Sequence, residues 1–105
     1  MHEIKYYYGK ELCTLIRFST PNDKIEFINY TDNLLHRAFG VKKSVTWQDL
    51  EDFLESRCIP RERDGVLQLL KENAIPYYDP WLIVEKTHGR MAEDDAWLEV
   101  IYNSE

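Results

Sequence analysis

The fold of this chain follows first from a stretch near its start, Ile4-Lys-Tyr-Tyr-Tyr-Gly-Lys-Glu-Leu-Cys-Thr-Leu-Ile-Arg-Phe18. Two runs rich in β-branched and aromatic residues, 4–8 and 12–18, flank the dipeptide Gly9-Lys10. Such runs on either side of a short glycine-containing turn predict a β-hairpin. The chain therefore begins with two antiparallel strands.

A third strand is predicted after a turn cluster, Ser19-Thr-Pro-Asn-Asp-Lys24. Residues 25–30 alternate between apolar and polar side chains, which is typical of a half-buried strand. The three strands should form an antiparallel meander with one face buried. Residues 31–44 are less regular, and we expect a crossover loop or a short helical turn there. Its apolar side chains are expected to fill the core, namely Leu34, Leu35, Phe39 and Val41.

The second half of the chain changes to the helical period. Thr46, with Asp49 three residues later, predicts the capped start of a first helix that ends near Arg57. Pro60 stops this helix and is also suited to the first turn of the next one. The second helix should close around Asn73 and Pro76.

Asp79-Pro80 predicts the start of a third helix, because an acidic cap followed by proline is a strong helix-start signal. Gly89 should end this helix in a left-handed conformation. Residues 97–102 alternate again and are suited to a last strand. We predict a single α+β domain, 1–105, in which the N-terminal antiparallel β-meander packs against a C-terminal group of about three helices. The side chains expected to be largely buried are Trp47, Leu50, Phe53, Leu54, Leu69, Leu70 and Val84.

Composition narrows the function classes. The net charge of −6 and the pI near 5.0 argue against direct nucleic-acid binding, which needs a cationic face. Neither a signal peptide nor a membrane-length apolar run is apparent, so we expect a cytoplasmic protein without membrane association. Cys13 and Cys58 follow no metal or redox spacing, and buried free thiols are favoured over a disulfide.

Charged residues concentrate in two segments, 55–64 and 86–97. Arg57 falls in the last turn of the first helix, where a cation complements the helix dipole. Arg61 and Arg63 are expected to lie at the start of the second helix, where positive charge is unfavourable unless nearby carboxylates neutralise it. Two interpretations stay open: an ion-pair network that ties the helices to the tail, or a contact with an anion or a partner protein.

A specific pairing follows from these charges. We expect at least one of the three arginines to pair with Asp94 or Asp95, because two arginines at a helix start would otherwise oppose the dipole. The ring of Trp97 should then cover the aliphatic stems of these arginines.

Catalytic and cofactor signatures are absent from the sequence. Residues 86–90 lack the glycine-rich run of a P-loop, and residues 93–95 lack the spacing of an EF-hand. Cys58 lies beside Arg57, which would lower a thiol pKa, yet no histidine stands at a fixed relation to it. We therefore expect neither catalysis nor a metal or organic cofactor. Exposed aromatic residues such as Tyr7, Tyr77 or Tyr78 would suit an interface.

Two resemblances arise from these residues. The run from Phe53 through Trp97 resembles small Firmicutes-type bacterial proteins that share Glu-Ser-Arg-Cys-x-Pro-Arg-x-Arg, then Tyr-Asp-Pro, then Gly-Arg-Met-Ala-Glu-Asp-Asp-x-Trp. This resemblance covers roughly the C-terminal half and implies little about function. The layout is also similar to the N-terminal portion of HipA-type kinases of toxin–antitoxin systems, where a β-meander leads into a helix with Arg-x-Ile-Pro-x-x-Arg and a later Asp-x-Tyr/Trp pair. The matching residues are Arg57, Ile59, Pro60, Arg63, Asp95 and Trp97.

The second resemblance implies an accessory role. In split versions of that family the small domain is a separate protein that binds the kinase and restrains it. This chain carries no kinase body, so phosphoryl transfer does not carry over. We expect a non-catalytic protein-interaction module, an antitoxin or accessory subunit of a bacterial HipA-like kinase system. The alternative is an acidic inhibitor from a phage or mobile element that binds a nucleic-acid-handling host protein. The candidate protein-binding residues are Arg57, Arg61, Arg63, Asp79, Arg90, Asp94, Asp95 and Trp97.

Overall fold

The computed structural model describes residues 2–19 and 25–102. In these residues it contains four β-strands, three α-helices and one short 3-10 helix at Leu34–His36. The predicted α+β class is confirmed. The strands are β1 (His2–Tyr8), β2 (Glu11–Phe18), β3 (Ile25–Asn29) and β4 (Ala96–Ile101), and the helices are α1 (Trp47–Ser56), α2 (Val66–Glu72) and α3 (Pro80–Thr87). Residues 20–24 of the predicted turn cluster lie outside the described residues.

The strands form one antiparallel sheet in the order β3-β2-β1-β4. The N-terminal meander is therefore present, and β4 returns at the end of the chain to pair with β1. Ile4 lies opposite Ile16 on one side and Val100 on the other. The register between β1 and β2 shifts between Tyr6 and Tyr7, which marks a β-bulge.

The core lies between one face of the sheet and the helices. Ile4, Ile16 and Leu98 from the sheet are fully buried, as are Leu50 and Leu54 from α1. Each such side chain contributes roughly 1.5–3 kcal/mol when removed from water. Burial is confirmed for Leu50, Phe53, Leu54, Leu70 and Val84, whereas Trp47 and Leu69 are only partly buried.

Trp47 is only partly buried because it lies in the first turn of α1. The ring lies at the border of the core, where it stacks on Trp81 with the ring centroids 5.7 Å apart. Thr46 and Asp49 form the predicted capping box: Thr46 Oγ1 accepts from the Asp49 N–H, and Asp49 Oδ2 accepts from the Thr46 N–H. The start of the helix thus agrees with its sequence signal.

The crossover from β3 to α1 corrects one prediction. Phe39 is buried, but Leu34, Leu35 and Val41 are exposed, with Leu35 at 90%. Polar contacts hold this segment: the Ala38 N–H donates to Thr14 Oγ1. Since the backbone is anchored through these groups, the 3-10 turn leaves its leucines facing away from the core.

A second correction concerns Pro60. It lies three residues beyond Arg57, the C-terminal cap of α1, and it does not open α2, because the chain first makes a turn in which the Arg63 N–H donates to the Pro60 carbonyl. The helix begins only after Gly65, which has a φ of +89°. Arg61 therefore lies in a turn, as does Arg63, and the expected conflict with the dipole of α2 does not arise.

The end of α3 needs two left-handed residues rather than one. His88 has a φ of +57° and Gly89 a φ of +62°. The His88 N–H still donates to the Val84 carbonyl, while the His88 carbonyl accepts from the Leu98 N–H at 2.8 Å. This sharp turn brings the segment after α3 onto the edge of β4, where the charged motifs meet.

Candidate functional site

The fold brings the two charged segments of the sequence together at one end of the molecule. The turn after α1 and the segment 88–97 face each other, and Arg57 at the C-terminal end of α1 lies between them. Only 7% of the surface of Arg57 is exposed. The site is therefore organised around a buried cation.

All three nitrogen atoms of the Arg57 guanidinium donate hydrogen bonds. Nε donates to the Gly89 carbonyl at 3.0 Å, and Nη2 donates to the Ala96 carbonyl at 3.1 Å. Nη1 and Nη2 each donate to one carboxylate oxygen of Asp94, both at 2.9 Å. This bidentate geometry is the strong form of the arginine–carboxylate pair. The predicted pairing of an arginine with Asp94 or Asp95 is confirmed.

The electrostatics of this pair favour its charged form. Hydrogen bonds from Arg57 lower the pKa of Asp94, although partial burial opposes the effect. The hydrogen bond with Asp94 raises the pKa of Arg57, again against the effect of burial. The two charges neutralise each other, and Arg57 also donates hydrogen bonds to two backbone carbonyls. Arg57 therefore holds the segment 88–97 against α1, and its guanidinium is not available to a ligand.

The exposed Arg61 and the half-buried Tyr78 form a pair beside this support. The guanidinium carbon lies 4.4 Å from the centroid of the Tyr78 ring, within cation–π range. The Tyr78 hydroxyl donates to the Ile59 carbonyl at 2.6 Å, which fixes the ring. Arg61 also approaches Glu55 at 3.5 Å, a weak exposed contact.

A second layered group lies on the sheet face opposite the core. The rings of Tyr7 and Trp97 are stacked, with centroids 4.3 Å apart and planes within 9°. The guanidinium of Arg90 lies 5.0 Å from the Trp97 ring, and Trp97 Nε1 donates to the Gly9 carbonyl at 2.7 Å. Trp97 therefore packs with Arg90 and Tyr7, so the expectation that it covers Arg57, Arg61 or Arg63 is wrong. Strand alternation is the reason: Ala96 and Leu98 face the core and Trp97 points the other way.

Three clefts surround these groups, and Met91 lines all of them. The first, of about 210 Å³, lies between α2, α3 and the segment after α3, with Arg63 and Arg90 in its lining. The second, of about 470 Å³, lies beside Trp97, and the third, of about 380 Å³, lies beside Tyr78. Sequence reasoning missed Met91, although methionine between arginine and an acidic run is a residue type suited to adaptable binding surfaces.

The predicted site residues thus separate into two groups. Arg57 and Asp94 form the internal support, and Asp79 caps α3 by accepting the Trp81 N–H at 3.0 Å. The carbonyl of Asp95 accepts a hydrogen bond from the Gly9 N–H, and Asp95 lines the second cleft. The other predicted residues, Arg61, Arg63, Arg90 and Trp97, lie at the surface around the clefts. Their role in binding a partner stays a prediction.

Cys58 corrects the expectation of a lowered thiol pKa. It is 4% exposed, and burial raises its pKa to about 12, outweighing the opposite effect of Arg57. Its thiol faces the Leu54 carbonyl at 3.2 Å. Both cysteines are buried and free, as expected.

Metal-binding and membrane-spanning features can be stated for the part of the chain that the structure describes. Within residues 2–19 and 25–102, no group of three or more His, Cys, Asp or Glu side chains could hold a metal ion. None of the helices in the same residues has the length and apolar character needed to cross a membrane.

Comparison with known proteins gives one distant similarity. The chain is 31% identical over 84 residues to human Torsin-3A, an alignment that covers 76% of this chain. It spans only 21% of Torsin-3A, about a fifth of that protein. No family model matches the chain, and no solved structure matches it.

Proposed function

We propose that this chain is a non-catalytic protein-interaction module whose binding surface is centred on Arg90, Met91 and Trp97. The observation that carries the proposal is the stack of Arg90 on Trp97 on Tyr7, which is fixed from beneath by the hydrogen bond to Gly9. Tryptophan, tyrosine and arginine are the residue types that supply most binding energy in protein interfaces. A rigid group of them at the surface loses little conformational entropy when a partner binds.

We propose an antitoxin or accessory role beside a HipA-like kinase in a bacterial cytoplasm, on the strength of the sequence resemblance. In this proposal Arg57 acts within the module, as the support of the segment 88–97, and the kinase contacts the surface residues. The chemistry of Cys58 agrees with a non-catalytic role, because a thiol with a pKa near 12 stays protonated at neutral pH.

The test is binding of a purified HipA-type kinase from the same genome to this chain and to two variants. Arg90→Glu and Met91→Ala should each weaken binding at least about tenfold, because each removes a central contact. Leu35→Ala is the matched control, since Leu35 is exposed but lies in the crossover from β3 to α1. It should bind as the unchanged chain does, and urea unfolding should show that all three variants are folded under the conditions of the binding measurement.

Two outcomes would contradict the proposal at different levels. Absence of binding to any such kinase would remove the kinase as the partner. A kinase complex that is equally stable with Arg90→Glu and Met91→Ala would show that the surface is assigned to the wrong residues.

A further inference from the structure

The first cleft indicates which chemical groups of the partner would bind there, an inference that rests on the proposed function. We propose that this cleft takes a carboxylate side chain of the partner together with an adjacent large apolar side chain. The cleft has two arginines at its rim, an apolar floor and one further negative charge, and these features support the assignment.

The floor of the cleft is apolar and formed by three elements. Ile83 of α3 is fully buried beneath it, and Leu69 of α2 and Ile59 of the preceding turn are half-buried at its walls. Met91 closes one side. A volume of about 210 Å³ accommodates one large side chain, and removal of its apolar surface from water favours binding.

The rim carries two guanidinium groups without acidic partners. Throughout residues 2–19 and 25–102, neither Arg63 nor Arg90 takes part in an ion pair. The third arginine of the lining, Arg57, is already neutralised by Asp94. Arg63 and Arg90 thus present two positive charges that no carboxylate of the described residues pairs with at the mouth of an apolar pocket, in a chain whose net charge is −6.

Glu93 decides between the possible anions. It also lines the cleft, so the rim holds two positive charges and one negative charge. One carboxylate neutralises the remaining net charge of the rim, whereas a phosphate group, with nearly two negative charges at neutral pH, would leave an excess of negative charge beside Glu93. The arginine fork binds a carboxylate equally well in a bidentate way. The combination favours aspartate or glutamate beside leucine, methionine or phenylalanine in the partner.

The experiment is selection from a phage-displayed library of random dodecapeptides on the immobilised full chain. Enriched peptides should carry an acidic residue next to a large apolar one. For one selected peptide, Arg63→Gln and Arg90→Gln should each raise the dissociation constant about tenfold, the loss of one charged hydrogen-bonding group. Replacing the peptide's acidic residue by its amide should have a similar effect. Arg17→Gln is the control, because Arg17 is an exposed arginine on the outer sheet face, away from the cleft, and should leave binding unchanged.

The outcomes separate this inference from the proposed function. Enriched peptides that lack acidic residues, or that bind the Arg63→Gln/Arg90→Gln double variant as tightly, would overturn the carboxylate assignment. If such peptides still lost binding to Met91→Ala, the interaction surface would stand while the cleft chemistry failed. Failure to enrich any peptide would also overturn the inference, and the kinase-binding test would decide the proposed function separately.

Discussion

At the scale of single residues, Arg57 is the clearest case of a charge that the fold uses internally. Its guanidinium satisfies two backbone carbonyls at positions 89 and 96 as well as the carboxylate of Asp94. One of those carbonyls belongs to the edge of β4, so the arginine also covers part of a strand edge that would otherwise be open.

Removal of the guanidinium should destabilise the fold strongly. We expect Arg57→Met, which keeps the aliphatic stem, to lower the free energy of unfolding by about 3 kcal/mol, because buried acceptors are left without donors. Asp94→Asn should have the smaller effect, about 1 kcal/mol, since the Asp94 side chain is 34% exposed and water screens the pair. Urea unfolding of both variants and of the double variant measures the coupling. Effects below about 0.5 kcal/mol for Arg57→Met would contradict a supporting role.

The same pair predicts a pH dependence of known sign. The pKa of Asp94 is lowered in the folded protein, chiefly by the hydrogen bonds from Arg57. Its contribution to stability is therefore fully present above the unfolded value, about 4, and is lost as the pH falls through the lower folded value. The difference in unfolding free energy between the unchanged chain and Asp94→Asn should shrink as the pH drops below about 4.

A second carboxylate provides the control for that measurement. The pKa of Asp49 is also lowered, by hydrogen bonds from the Thr46 backbone and from Lys42, and it acts with the same sign. Asp94→Asn should therefore keep some acid sensitivity. A difference that stays constant down to pH 2 would show that Arg57 does not depress the Asp94 pKa.

Gly89 illustrates a close approach that only glycine permits. A Cβ there would lie 3.1 Å from Leu98 Cδ2 and 3.2 Å from Arg57 Cβ, and the φ of +62° is strained for other residues. Gly9 has nearly the same φ, +61°, with nothing within 4 Å of its Cβ position. Gly9→Ala should cost about 1 kcal/mol in unfolding free energy and Gly89→Ala about 2–3 kcal/mol, because only the second adds a clash. Equal losses would mean that the packing at Gly89 relaxes freely.

At the scale of elements, the three helices differ in how they begin. α1 starts with a full capping box, α3 starts with Asp79 and Pro80, and α2 starts at Gly65 with no side-chain cap. α2 is also the shortest, with seven residues and a single buried side chain, Leu70. It therefore depends on the turn before it for its position, and that turn supplies Arg63 to the first cleft.

The cap of α3 gives a prediction that separates architecture from binding. Asp79→Ala should lower the free energy of unfolding by about 1 kcal/mol, whereas Asp79→Ser should lose only a few tenths, because serine keeps an accepting oxygen. Both should leave binding of the selected peptide unchanged once the protein is folded. Weaker peptide binding by Asp79→Ser at full stability would instead place Asp79 in the interface.

At the scale of the whole molecule, the sheet has two unlike edges. The edge of β4 is covered by the His88 carbonyl and by Arg57. β3 pairs with β2 on one side only, and several exposed apolar side chains lie within or after it, Ile28, Tyr30, Leu34 and Leu35. An uncovered antiparallel edge is the part of a sheet that opens first.

Amide hydrogen exchange should show this asymmetry. The amides of β1, which pairs on both sides, should exchange at the rate of global unfolding, whereas those of β3 that point away from β2 should exchange orders of magnitude faster. Mass spectrometry of fragments covering β1 and β3 measures both. Equal protection of the two strands in dilute protein would show that the β3 edge is covered in solution.

The sequence predicted the parts of this structure that depend on near neighbours. The hairpin around Gly9, the capping box at Thr46 and the start of α3 at Asp79 were all predicted correctly. Strand alternation, helix caps and proline positions act within a few residues, so local sequence is sufficient to specify them. The sequence also predicted that an arginine would meet Asp94 or Asp95.

Only the tertiary structure decided which arginine pairs with Asp94 and which roles the other arginines have. Arg57, Arg61 and Arg63 carry the same group, and their roles differ because one lies at the end of α1 against Gly89 while the others lie in an exposed turn. The exposure of Leu34, Leu35 and Val41 was decided in the same way, by contacts with residues distant in sequence. The stack of Arg90 and Trp97 likewise depends on the turn at His88 that returns the chain to β1. Such pairings depend on how whole elements pack, which side-chain chemistry and spacing alone do not specify.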